Sequence, residues 1–515
     1  KTNMGQKRAI YQTLVSMAEG GEIQELEPGR FVRGGLSKER LEGRFDYRAG
    51  RASFIPDDPE IDTLPLSDRA LANALHGDRV AVSFVRTRRG EYKRVQVVEI
   101  LERREATYVG RLQISRGYAF FVSLNRELRQ DVFIPEDKTM GATGHDKVVV
   151  RITDWDRKSK NPRGEVIDIL GKAGDNSTEM HAILAEFGLP YSYPEAVEKA
   201  AEALSAEITE EELAQREDFR GVLTCTIDPR DAKDFDDALS FRTLPGGYEV
   251  GVHIADVSHY VQPGSIIDDE AYKRATSVYL VDRTIPMLPE RLSNFLCSLR
   301  PDEDKYAYSC IFSLDEDAQL RSARIARTVI RSQRRFTYEE AQEIIETGKG
   351  DHAEAILTLH RLAQKLRARR FEVGSIAFDR PEVRFELDED GKPLSVYIKE
   401  SKPAHQLIEE FMLLANRTVA ERIAEPTRKD ISPALRLGRG GKPAFVYRIH
   451  EAPDEEKLRG LSDYVRRFGY KLKVEGGSSV IAKSLNALLA DIKGKPEEDM
   501  LTMLAIRSMA KARYT

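Results

Sequence analysis

The sequence predicts a multidomain chain: two small β-barrels, then a mixed α/β domain, with a helical segment at the start. Three observations predict it. At 515 residues the chain exceeds what one core fills. An internal duplication runs between about residues 40 and 172. From Gly221 onward, strand-like alternation mixes with long stretches of helical spacing.

The elements follow in chain order. Arg8–Ala18 has helical spacing through Ile10, Leu14 and Met17, so residues 1–38 are expected to be the end of a helical region. The chain opens on Lys1 rather than Met and stops at Thr515 without a turn or tail, which gives the expectation of a fragment. In the duplication, Gly43-Arg-Phe recurs as Gly110-Arg-Leu, Gly77–Val82 as His145–Val150, and Val98–Leu101 as Ile167–Leu170. The offsets are 67, 68 and 69 residues. Short alternating strands between Gly and Asp turns make each copy a small barrel, over 39–104 and 105–172. Aromatics interleave with basic residues at Phe45, Tyr47, Tyr118, Phe120, Phe121 and Phe133. That is the pattern of a sheet face that stacks bases; the plain alternative is that these rings fill the barrels. Helical spacing returns from Asn176 to about Arg216, so 173–215 is expected to be a helical linker. In the last domain, over 216–515, Val250–Asp256 alternates as a strand with Val250, Val252 and Ile254 on one face. Ala404–Ile423 is a long helix, and Ser484–Ala512 is helical with a break near Gly494-Lys-Pro496.

Composition narrows the class. With 41% hydrophobic and 32% charged residues the chain is charge-rich and globular. It has no apolar run of about 18 residues and no signal-peptide pattern in residues 1–30. Three cysteines without metal-ligand spacing fit a reducing cytoplasm and small buried hydrophobes. The net charge of −5 does not announce a nucleic-acid binder, but basic residues are dense at Arg86–Arg94 and Arg324–Arg335. Local fields decide contact surfaces, although each cluster alone reads as a solvated face.

Chemistry concentrates in Asp228-Pro-Arg-Asp-Ala-Lys-Asp-Phe-Asp-Asp237, which holds five carboxylates. Two such charges 4 Å apart repel by roughly 4 kcal/mol at an effective dielectric of 20, so a cation among them is the natural remedy. Hard oxygen ligands without Cys or His point to Mg²⁺ or Mn²⁺, and hence to metal-assisted work on phosphates; four carboxylates would roughly balance two such ions, which gives the expectation of a two-metal mechanism. Alternation at Leu223, Cys225 and Ile227 makes a strand leading into the loop, and Pro229 ends its ladder. An EF-hand fails, because Lys233 and Leu239 stand where Gly and Glu are required. A solvated acidic turn is the competing reading.

Thr226–Ala238, Val252–Val261, Ser277–Tyr279 through Ile285–Pro289, Leu292–Leu299, Phe378–Val383, Glu409–Asn416 and Arg448–His450 resemble the catalytic domain of the ribonuclease II and ribonuclease R exoribonucleases. The duplicated barrels look like that family's two OB-type cold-shock domains, so the resemblance covers about residues 25–515. The helical start and the Asp-Ala-Lys-Asp-Phe-Asp-Asp variant favour the ribonuclease R branch. The resemblance implies processive hydrolysis of single-stranded RNA, or of structured RNA with a 3′ overhang, from its 3′ end to nucleoside 5′-monophosphates with Mg²⁺. It further implies a cytoplasmic monomer. It makes Asp228, Asp234, Asp236 and Asp237 the metal and catalytic carboxylates. Tyr279 becomes the stacking partner of a terminal base, and Phe385 a second one. Glu410 becomes an acceptor for a ribose 2′-OH, with a helix-surface charge as its alternative. His253 and His259 receive no acid–base role; a hydrogen-bonded strand histidine is expected. The family's later Ser-Pro-Ile-Arg-Arg-Tyr motif, whose arginine holds the scissile phosphate, and its S1 domain have no match in residues 1–515. An RNA-binding protein with a non-catalytic nuclease domain is therefore the second reading.

Overall fold

The computed structural model describes the chain apart from residues 1–3, 20–22, 28–29, 33–35, 49, 68–69, 87–91, 105–106, 124–127, 156–158, 379–381, 390 and 425–444. Most of the basic cluster Arg86–Arg94, and part of Phe378–Val383, thus lie outside the described residues. The chain divides into two compact units, Lys1–Ser192 and Tyr193–Thr515.

In the first unit the helix Met4–Glu19 precedes two sheets of one topology. In the first sheet the strand order is Leu64–Leu66, Arg51–Pro56, Leu36–Arg48, Arg79–Arg86, Tyr92–Glu102. The second repeats it with Val132–Pro135, Tyr118–Ser123, Thr107–Ser115, Asp146–Asp154 and Arg163–Lys172. The second sheet closes into a barrel through the parallel pair Phe133↔Arg163. In the first, no ladder among the described residues joins the short strand Leu64–Leu66 to Tyr92–Glu102. The repeated glycine has a physical cause. A Cβ on Gly43 would stand 2.2 Å from the Ile55 carbonyl oxygen and 2.8 Å from the Phe54 ring. On Gly110 it would stand 2.2 Å from the Val122 oxygen and 2.7 Å from the Phe121 ring. In both copies a buried phenylalanine fills the barrel beneath the strand crossing.

The segment 173–215 is shared between the units. Asn176–Glu186 packs Ala182 and Ala185 against Val109 and Val149 in the first unit. Glu195–Glu202 packs Val197 and Ala201 into a core of the second.

The second unit is built on a seven-stranded sheet. Its order is Glu217–Asp218, Leu320–Arg331, Asp304–Asp315, Gly247–Ala255, Asp237–Leu244, Leu223–Asp228 and Arg334–Thr337. Period-two alternation sends opposite side chains to opposite faces. One face buries Cys225, Ile227, Leu239, Val250, Val252 and Phe312 under the helices Tyr338–Thr347, Ala353–Val373 and Pro403–Ala424. The other buries Ala238, Ala255, Ala307 and Ile311 under Glu195–Glu202, Ile266–Arg274 and Arg291–Leu296. Ile254 shares the face of Val250 and Val252 by alternation, but at the sheet's end it is 37% exposed. The helices Glu455–Arg466, Ser478–Ile492 and Glu498–Ser508 share a separate core, with the break at 493–497 where Gly494 and Pro496 place it. Among the described residues no helix is long and apolar enough to cross a membrane.

Candidate active site

The acidic loop leaves the sheet between two neighbouring strands. Leu223–Asp228 pairs with Asp237–Leu244 only as far as Cys225↔Leu239, after which the strands part. Pro229 has no N–H to continue a ladder, and its carbonyl accepts from Ala232 N at 3.1 Å to turn the chain. On its other side Asp228 stays in register with Thr337 of the parallel edge strand. That strand also supplies Arg335, whose Nη2 donates to the carbonyls of Pro229 and Arg230 and whose guanidinium lies over the Phe235 ring at 5.5 Å. At the far end Asp237 opens the next strand, paired with Ile254, and the Asp236 carbonyl accepts from Ala255 N at 3.0 Å.

The carboxylates held in this way are electrostatically strained. Burial, with the charges of Asp237 and Asp234 beside it, pushes the Asp228 carboxyl up to about 7, although the neighbouring Thr226 hydroxyl and then Arg335 work against the rise. Burial and Asp236 push Asp237 up to about 6, and burial and Asp234 raise Asp236. Asp228 Oδ2 is buried without a hydrogen-bond partner. A divalent cation answers both facts: it balances the charge and gives the orphan oxygen a partner. The donor set is all-oxygen, which suits Mg²⁺ or Mn²⁺. Among the described residues, however, no three His, Cys, Asp or Glu groups surround one point closely enough to hold an ion. The ligands fit in kind but stand open.

Two tyrosines accompany the loop. Tyr279, on the short ladder Val278–Tyr279 with Thr284–Ile285, is 71% exposed. Partial burial and then the charges of Asp234 and Asp236 raise its phenol, which places an accessible ring beside the carboxylates. Tyr338, which is not among the residues that the sequence singles out, opens the helix after the edge strand. Burial, then Asp237 and Asp228, push its phenol up to about 12, and its ring stacks on His405 at 4.0 Å and 11°. The available sequence signal is the capping box, since Thr337 and Glu340 fix the start of that helix next to Asp228, the register partner of Thr337.

The remaining candidates separate. Tyr118 and Phe120 form one aromatic face with Phe133, at centroid distances of 5.7 to 5.9 Å, and Arg163 lies 5.6 Å over Phe133. Phe385 is 40% exposed on the hairpin Glu382–Leu387/Pro393–Lys399, opposite Val396 and outside the seven-stranded sheet. Two assignments are corrected. Phe45 is 1% exposed and packs in the first barrel-like core. It holds the repeat position of buried Leu112, two residues after the shared glycine, so its ring is interior and offers no stacking surface. Glu410 is neither a surface charge nor an open acceptor. Its carboxylate is buried between Arg367 (3.2 Å) and Arg370 (3.1 Å) of the neighbouring helix. Glu409 beside it stays about half exposed.

His253 is the satisfied strand histidine expected: Nδ1 meets Ser309 Oγ at 2.6 Å, Nε2 meets Ser240 Oγ at 2.8 Å, and burial holds its pKa down at about 3. The basic run Arg324–Arg335 is largely paired. Arg324 meets Glu217 and Glu249, Arg331 meets Asp304, and Arg334 meets Glu340 and Asp351. This is a network of ion pairs on a sheet, not an open cationic strip. Cys225, Cys297 and Cys310 are all buried and free.

With this geometry in view, the comparisons are specific. Residues 216–515 match the RNB domain model and residues 120–194 the cold shock domain model. Ribonuclease R of Aquifex aeolicus is 37% identical over 86% of this chain and 61% of its own length. That of Thermotoga maritima is 34% identical over 99% of this chain and 70% of its own. The structure of Mycoplasma genitalium RNase R in complex with ribose methylated single-stranded RNA superposes with a TM-score of 0.80 at 25% identity, covering 92% of this chain and 73% of that one. A sheet that ends in this acidic loop, in a chain that also carries a cold-shock barrel, defines an RNB-domain protein. Within that class the chain belongs to the ribonuclease R family. It spans about three fifths to seven tenths of the length of these two curated relatives.

Proposed function

We propose that the chain carries the hydrolytic centre of a 3′→5′ exoribonuclease that degrades RNA processively to nucleoside 5′-monophosphates with Mg²⁺ or Mn²⁺. The observation that carries this reading is the loop itself: three carboxylates lifted above their ordinary range, one with a buried, unpartnered oxygen. Asp228, Asp234, Asp236 and Asp237 would hold the metal. When bound, a divalent ion polarises the phosphate and lowers the pKa of the attacking water. The chain's own residues do the rest. The exposed Tyr279 ring stacks on the terminal base and brings its phosphodiester to the carboxylates, an interaction of about 1–3 kcal/mol. Tyr338, at the start of the helix that follows the edge strand, borders Asp237 and Asp228. The Tyr118–Phe120–Phe133 face, with Arg163 over the Phe133 ring, binds single-stranded RNA by stacking and charge. Single-stranded RNA and structured RNA with a 3′ overhang are the proposed substrates, for a monomer in the cytoplasm. Three free, buried thiols suit that compartment.

The second reading, an RNA-binding scaffold without turnover, draws on the open arrangement of the ligands. One experiment separates the two. With 5′-labelled single-stranded RNA and Mg²⁺, the chain is expected to release mononucleotides while Asp236→Asn binds RNA without release. Equal degradation by both places the site elsewhere; binding by both without release leaves the scaffold reading.

A further inference from the structure

The acidic loop is tethered from below by a buried hydroxyl that the functional reading does not use. Ser298 is fully buried; its Oγ donates to the Lys233 carbonyl at 3.0 Å and accepts from Phe235 N at 3.0 Å. Next to it, Leu299 N donates to the Phe235 carbonyl at 2.8 Å. Residues 233, 235 and 236 are therefore fixed by their backbones, and Asp234 projects from between two tethered neighbours. A hydroxyl suits this place because it donates and accepts through a single atom.

Local structure explains how the serine arrives there. Arg291–Leu296 forms a π-helical turn, in which Cys297 N donates to the Leu292 carbonyl at 2.9 Å. Such widened turns are frequent at functional sites. Leu292, Leu296, Cys297 and Leu299 all bury in the core of that face, and Ser298, between the last two, turns to the loop. Lys305 Nζ donates to the Phe295 carbonyl at 2.6 Å, satisfying an acceptor of the widened turn.

We propose that Ser298 is a positioning residue that sets the spacing of Asp234 against Asp236 and Asp237, and so the ability of the loop to close on a divalent cation. The inference rests on the proposed function and names a part of the same site. Arg335 ties the Pro229–Arg230 half of the loop; Ser298 ties the half that carries three of the four aspartates.

The test uses the full chain with Ser298→Ala and Ser298→Thr. Without metal, exchange of the Phe235 amide is expected to be about tenfold faster in Ser298→Ala, the loss of a bond of ordinary strength. Mn²⁺ affinity, read by electron paramagnetic resonance of the free ion, is expected to fall about tenfold or more. In RNA hydrolysis kcat falls while KM stays. Ser298→Thr keeps the hydroxyl and is expected to restore both the exchange rate and Mn²⁺ affinity, which also answers the case in which alanine compromises folding. Wild-type Mn²⁺ affinity and exchange in Ser298→Ala, or a threonine variant that folds yet binds Mn²⁺ as weakly as alanine, overturns the assignment. A wild-type chain that neither binds Mn²⁺ nor releases nucleotides overturns the functional reading itself. A wild type that does both, matched by Ser298→Ala, overturns only the role of Ser298.

Discussion

Asp228 shows most plainly what the loop costs the fold. Its folded pKa of about 7 lies above the ordinary 3.8, so between these values the folded state keeps a proton that the unfolded state has lost. Its contribution to stability is present below pH 3.8 and disappears as pH rises through 7. Metal-free Asp228→Asn is therefore expected to be more stable than the wild type at pH 8, by about 2–4 kcal/mol, and to match it near pH 4. Urea denaturation in chelator at the two pH values checks this. His253 acts in the opposite direction. Held neutral down to about pH 3, it contributes stability that is complete above its ordinary 6.5 and lost as pH falls below it. Glu410 is a third kind of residue. Glu410→Ala strands Arg367 and Arg370, which are 26% and 27% exposed, and is expected to cost about 2–3 kcal/mol in chemical denaturation, less than a fully buried pair would. The four aspartates were legible in the sequence because they crowd ten residues. The role of Glu410 was not, because its partners lie forty and more positions upstream on another helix.

Among the elements, the two repeated sheets separate packing from recognition. Tyr118 and Phe120 point outward from a strand whose alternate residues Ala119 and Phe121 are fully buried. The strand in the same place in the first copy carries Arg51 and Ser53 outward. Tyr118→Ala is accordingly expected to weaken single-stranded RNA binding by about 1–3 kcal/mol with little change in melting. Phe45→Ala is expected to cost about 3–5 kcal/mol of stability instead, through the cavity it leaves. RNA titration and thermal melting of both variants separate the two roles. The duplication and the strand alternation foretold both sheets, and apolar spacing foretold the helix Pro403–Ala424 to within a residue at each end. Which aromatic faces inward depends on the register after Gly43 and Gly110, which aromatic content alone does not reveal. The π-helical turn at Arg291–Leu296 was hidden for a similar reason: its apolar residues fit an ordinary helix equally well until Ser298 must reach Lys233 and Phe235.

For the whole molecule, a net charge of −5 leaves RNA binding to local surfaces, and the basic run Arg324–Arg335 is largely spent on ion pairs. Every loop carboxylate belongs to Tyr193–Thr515, whose cores are its own. Mn²⁺ is thus expected to raise the calorimetric melting of that unit and leave that of Lys1–Ser192 unmoved, the signature of a ligand bound to one folded unit. The central claim is that the acidic loop is a divalent-cation site whose carboxylates must give up protons to bind. Isothermal titration of Mn²⁺ into the metal-free chain, in buffers of different ionisation enthalpy, tests it most directly. At pH 6, with Asp228 at about 7 and Asp237 at about 6, binding is expected to release about one and a half protons. Release should fade by pH 8.5, and binding should be lost in Asp236→Asn. Binding without proton release at pH 6, or undiminished binding by Asp236→Asn, would contradict the account.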